Sequence, residues 1–168
     1  MNRIDVSAEE VPLPSWDGKV RRFLRKVLAG LGRDGWDLSV LFCGDRYIRS
    51  LNARFRHRDE ATDVLSFPLG ASLPGGRRLP GDIVISLDAL RENARSFHVT
   101  EDEELRRLLV HGVLHLDGMD HAGIGEDEPM LCLQERILAG LAGERILPGE
   151  RPCPSAPSGR RGLSGEAV

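Results

Sequence analysis

Three of the five histidines fall within eleven residues, His111-Gly-Val-Leu-His115-Leu-Asp-Gly-Met-Asp-His121. Their spacing is that of a metal site. On a helix His111 and His115 stand about 40° apart at about 100° per residue, so both rings leave from one face. Gly118 supplies the residue that turns the chain at positive φ, and His121 returns from the turn as a third ligand. Three neutral imidazoles with one open coordination position describe catalytic zinc, whereas structural zinc is closed by four protein ligands. One Zn2+ ion is therefore expected, although nickel, copper or iron accept the same donors. The spacing H-x-x-x-H-x-x-G-x-x-H is also that of the metzincin peptidases, which makes a zinc metallopeptidase the rival reading. Those enzymes carry their general base as a glutamate directly after the first histidine. Here that position is Gly112, which has no proton acceptor, and Glu104 is too far back along the helix to replace it.

A second concentration of chemistry precedes the histidines. Arg46, Arg49, Arg54, Arg56 and Arg58 lie in one short stretch with His57, in a chain where only Lys19 and Lys26 are lysine. Arginine is the better bidentate partner for phosphate. The net charge of −3 nevertheless excludes nucleic-acid binding through bulk charge, and alone the stretch reads as a solvated helix face. His57 and His98 stand outside the metal cluster. Cys43, Cys132 and Cys153 are too scattered for a disulfide framework or a thiolate zinc site.

The elements that must hold these residues follow from periodicity. Ile4-Asp5-Val6 begins an edge strand. Ser15 precedes a helix running to about Leu31, and Leu38–Cys43 is a short buried strand. Asp45 caps a helix carrying Ile48, Leu51 and Phe55 on its apolar stripe. Asp63–Phe67 and Asp82–Ser86 are strands joined by a turn-rich loop, as a wide hairpin or a crossover. A helix over about 86–96 follows. Thr100-Glu-Asp-Glu103 is a capping box for a helix from Glu101 into the histidines. Leu105, Leu109, Val113 and Leu116 form its core stripe, with His111 and His115 flanking that stripe and facing a cleft. A last helix spans about 126–141. Residues 148–168, with four Pro, four Gly and three Ser, read as a disordered tail. The fold class is α/β (α+β mixed), with a small mixed sheet of about four strands, about five helices and the zinc helix near the C-terminal half. A single domain over 1–147 accounts for the length. No apolar run approaches the ~18 residues of a membrane span and no signal peptide opens the chain, so the expected compartment is the cytoplasm.

The histidine segment resembles the H-G-x-L-H-L-x-G-[YF]-D-H signature of the YbeY endoribonucleases, bacterial ribosomal-RNA maturation factors. Leu51-Asn-Ala-Arg-Phe-Arg56, Thr62-Asp-Val-Leu-Ser-Phe-Pro68 and Gly81-Asp-Ile-Val-Ile-Ser86 resemble further segments of that family, in its order. Ala61 departs from a usual proline and Met119 from a usual aromatic, and neither is a ligand position. The resemblance implies zinc on His111, His115 and His121 and cleavage of single-stranded RNA, for which hydrolysis by zinc-activated water is the expected chemistry. It implies work on ribosomal RNA, at the 3′ end of the small-subunit RNA and on defective ribosomes. The implied partners are the small subunit with its proteins and a ribosome-associated GTPase, with no membrane and no DNA. Arg56 matches the family's functional arginine and becomes the catalytic candidate, with Arg54 and Arg58 as RNA-binding candidates. Asp82 is the candidate to orient a ligand imidazole, in competition with Asp117 and Asp120. A non-catalytic assembly factor with structural zinc is the other alternative.

Overall fold

The computed structural model describes residues 1–119, 129–149 and 166–167. Alternation builds the sheet. In β1 (Arg3–Ala8) Ile4 and Val6 are buried, and in β2 (Trp36–Cys43) Trp36, Leu38, Val40 and Phe42 are buried between half-exposed neighbours. With β3 (Val64–Leu73), β4 (Arg77–Ser86) and the short β5 (Glu166–Ala167), the strands lie in the order β1-β2-β4-β3-β5. β1, β2 and β4 are mutually parallel, β3 runs antiparallel to β4, and β5 pairs parallel to β3. The mixed sheet expected from the sequence is the one observed. The Asp63–Ser86 connection is a hairpin, turned by a single 3-10 turn at Pro74–Gly76.

Both hairpin strands run further than the apolar runs indicated, because the segment read as loop is paired. Pro80 sits inside β4 without breaking it. Register shifts fall beside it on both neighbours, between Trp36 and Leu38 on β2 and between Pro68 and Ala71 on β3. Such bulges absorb a residue that has no N–H to give to the ladder. Gly81 follows at φ +147°, where a side chain would strike the Phe67 carbonyl.

Among the described residues five α-helices cover the sheet: α1 (Asp17–Gly30), α2 (Asp45–Arg56), α3 (Leu87–Phe97), α4 (Glu101–Leu116) and α5 (Pro129–Gly140). α1, α3, α4 and α5 share the large core with Ile83 and Ile85 on one face. Ile48 of α2 packs with Cys43, Leu65 and Val84 on the other. The cap of α2 is Gly44 rather than Asp45, and the amide of Asp45 donates to Asp88 Oδ2 at 2.9 Å. Thr100 is the N-cap of α4 as read, with Glu103 N donating to its Oγ1 at 3.0 Å.

α4 differs from its expected character. It is buried on every side, Leu108, Val110 and Leu114 included, and not along one stripe alone. A helix that is apolar all round is a central helix. Here α5 closes the side that the sequence left open.

Of the segment read as a disordered tail, residues 150–165 and 168 lie outside the described residues. Pro148 and Gly149 follow Leu147, whose amide is held by Asp102 Oδ1 at 2.8 Å.

Candidate metal centre

His111 and His115 lie in the last two turns of α4, 0% and 4% exposed. Their Nε2 atoms face each other at 2.9 Å, with ring planes at 75°. Gln134, buried on α5, holds His111 from behind through Nδ1···Oε1 at 3.2 Å. An Nδ1–H donating to that carbonyl oxygen would leave Nε2 its lone pair. That is the tautomer in which an imidazole binds a metal, fixed by a hydrogen bond on its far nitrogen. Two converging neutral imidazoles fit a borderline divalent ion such as zinc. Both rings are buried, and Gln134 of α5 lies against His111. His121 and Asp120 lie outside the described residues. Among the described residues no group of three His, Cys, Asp or Glu stands close enough to hold a metal.

Gln134 is the residue that sequence reasoning missed. It stands four residues after Met130 and ahead of Ile137 and Leu138, a polar side chain at a core position of an otherwise apolar helix face. That break in the pattern was its signal.

Gly112 takes on a packing role. A Cβ at this position would stand 2.9–3.0 Å from three atoms of the Ile83 side chain. The residue after the first histidine therefore points into the sheet, where a glutamate has no room and no line to the imidazoles. Cys43 is equally remote from metal chemistry. It is buried, with its Sγ donating to Ile85 O at 3.6 Å, and burial pushes its thiol up to about 12.

Arg56 is the last residue of α2, and its position is set by the turn that follows. His57 takes the left-handed conformation (φ 59°, ψ 30°) and its amide bonds back to Asn52 O. Arg58 N donates to the same carbonyl at 3.3 Å, and Asn52 Nδ2 donates to Glu60 O at 2.9 Å. The asparagine of Leu51-Asn-Ala-Arg-Phe-Arg56 is thus the clamp of the loop behind Arg56. His98 caps α3 in the same left-handed way.

Beyond this loop Asn93 Nδ2 donates to Asp63 Oδ2 at 3.0 Å and to Glu104 Oε1 at 3.3 Å. The start of β3 is thereby tied to the helix that carries the histidines. Arg49 is committed to Asp59 through two bonds of 2.9 and 3.1 Å. The guanidinium of Arg54 lies over the ring of Phe55, 5.1 Å from its centroid.

Neither described competitor for orienting an imidazole is brought to the histidines. Asp117 is held by Arg33 through bonds of 2.7 and 3.1 Å. Asp82 pairs in register with Ser39 and Phe67, and alternation puts it on the α2 face, opposite Ile83 and Gly112. Burial raises the Asp82 carboxyl above its ordinary range, against a hydrogen bond from Ser39 that lowers it. A raised folded-state value means that the folded protein keeps this proton longer than the unfolded chain. This contribution to stability is then full below the unfolded value of 3.8 and is lost as pH rises through the folded one. Asp82→Asn is expected to remove that decline and to be the more stable form at neutral pH. Urea titrations across acid and neutral pH check this; an unaltered slope in the variant would assign the decline to another group.

Residues 3–142 match the protein family described as Endoribonuclease YbeY. The chain belongs to that family. It is 46% identical over 143 residues to the endoribonuclease YbeY of Treponema pallidum (strain Nichols), covering 83% of this chain and 89% of the relative. It is 43% identical over 125 residues to that of Aquifex aeolicus, covering 74% and 83%. The solution structure of a Thermotoga maritima protein aligns with a TM-score of 0.59 at 27% identity, over 84% of this chain and 90% of that one. With YbeY membership the enzyme class is that of a hydrolytic nuclease.

Proposed function

We propose that this protein is a zinc-dependent endoribonuclease of single-stranded RNA that matures the 3′ end of the small-subunit ribosomal RNA and acts in ribosome quality control. The observation that carries the metal half is the pair of Nε2 atoms at 2.9 Å with Gln134 behind His111. His111 and His115 would hold one zinc ion together with His121. When bound, zinc supplies Lewis acidity that brings the pKa of water toward about 7, so no strong protein base is needed beside Gly112. Gln134 keeps the His111 lone pair directed at the ion. Arg56 is the group proposed to meet the negative charge that develops on the phosphate oxygens, and the Asn52 clamp holds its backbone still. Arg54 and Arg58 are proposed to follow the RNA backbone.

The single domain over 1–147, a cytoplasmic location and the partners (the small subunit with its proteins and a ribosome-associated GTPase) belong to the same reading. No helix among the described residues is long and apolar enough to cross a membrane, which is compatible with it.

One assay separates this from its two rivals. Purified zinc-loaded protein is incubated with single-stranded RNA or with casein, with a chelator and with His115→Ala as controls. RNA cleavage abolished by both controls is expected. Casein cleavage would favour a peptidase. RNA loss that survives both controls would mark a contaminant and leave a binding factor with structural zinc.

A further inference from the structure

Phe55 belongs to the apolar stripe of α2 by spacing, yet it is 48% exposed. Its ring meets the half-buried ring of Phe67 edge to face, with centroids 5.4 Å apart and planes at 72°. Such a contact orients an aromatic side chain on a surface. Arg54 adds a planar guanidinium 5.1 Å from the Phe55 centroid. Arg54 is exposed as well. Leu69, two residues beyond Phe67, is 56% exposed. From Ser50 to Arg58 the sequence carries Arg54, Arg56, His57 and Arg58 and no carboxylate. An exposed aromatic ring beside arginines, with the nearest carboxylate in sequence, Asp59, taken up by Arg49, is a combination that binds single strands: bases stack on the ring while arginines meet the phosphates. A protein partner would call for a wider apolar patch or opposite charges in matched positions.

We infer that Phe55, braced by Phe67 and paired with Arg54, is a stacking platform for one base of the single-stranded RNA, next to the phosphate that Arg56 would meet. The inference rests on the proposed RNA substrate and adds a binding contact to it. Because stacking uses the face common to all bases, the platform fixes the position of the strand without selecting its sequence.

The test uses the full zinc-loaded chain and short single-stranded 2′-O-methyl oligoribonucleotides, with 2-aminopurine moved through successive positions. One position should be quenched on binding to the wild type. Phe55→Ala and Phe55→Leu should both lose that quenching and bind about 10- to 100-fold more weakly, whereas Phe55→Trp keeps both signals. The leucine variant preserves apolar bulk against Phe67, so an unchanged melting temperature with weakened binding assigns the loss to the aromatic face. Removing the base at the quenched position should weaken the wild type and leave Phe55→Leu unaffected. Binding by Phe55→Leu within about twofold of wild type would overturn the platform, since stacking on an aromatic side chain is worth more than that. So would a change in the sedimentation of free Phe55→Ala, which would make the patch a contact between copies of this chain. If the wild type binds and cleaves RNA while Phe55 is indifferent, only the platform falls. If the wild type neither binds nor cleaves, the RNA reading falls with it.

Discussion

His115→Ala is expected to abolish RNA cleavage and to lose bound zinc, and its melting temperature should no longer respond to a chelator. The imidazole is 4% exposed and its Nε2 lies 2.9 Å from that of His111. Its removal takes away one donor and leaves His111 aimed at a gap. Two losses then add in stability. The first is the packing of a buried ring. The second is the linkage between metal and fold: an ion that binds only the folded chain stabilises it by about 2.7 kcal/mol at a hundredfold excess over its dissociation constant. The wild type should therefore melt lower in chelator, and the variant should melt lower still, at one temperature with or without it. Elemental analysis is the deciding measurement, since stoichiometric zinc in His115→Ala would remove the histidine site from the mechanism. His111→Ala is expected to behave alike. A substitution of Gln134 should weaken metal affinity by about 10- to 100-fold while keeping residual activity, as is usual for a partner that only fixes a ligand's tautomer.

The parts of this arrangement legible in the sequence are those written in local periodicity. The two histidines four apart, the cap at Thr100 and the start of α4 needed no tertiary information, because helical geometry and side-chain capping act within a few residues. The hairpin was harder to read. Pro74, Pro80 and the glycines around them are ordinary loop residues, and only pairing with β2 and β3 makes β4 continuous through Pro80. Burial of the histidines was hidden for a similar reason. A stripe of leucines predicts which side of α4 meets the sheet, but not that α5 returns to cover the other side with Gln134. Asp82 shows the opposite case. Its place at a strand start suggested that it orients a ligand imidazole, and the alternation of β4 assigns its side chain to the α2 face. Gly112 was legible as a missing base. Its positive reason, the Ile83 side chain beneath it, appears only in the packed structure.

Arg56→Ala should separate the two halves of the centre, leaving zinc stoichiometric while cleavage falls by about 100- to 1,000-fold, the usual cost of removing one group that meets developing charge in a transition state. Arg56 ends α2, where a cation gains only about 0.3–1 kcal/mol from the helix dipole, and the loop beyond it is held by Asn52 and by backbone bonds that the substitution does not touch. Chelator sensitivity should persist, and the melting temperature of the variant is the control for fold. Arg56→Lys refines the assignment. Lysine restores the charge but not the planar fork that engages two phosphate oxygens, so partial recovery is expected if bidentate geometry matters, and nearly full recovery if charge alone suffices. The split between kinetic constants locates the contact. A fall in kcat and kcat/KM together, with KM unchanged, means that Arg56 acts on charge that appears only in the transition state, whereas a rise in KM alone would move it among the groups that hold the strand. Turnover equal to wild type would exclude Arg56 from the chemistry and leave the metal-bearing helix to act without it.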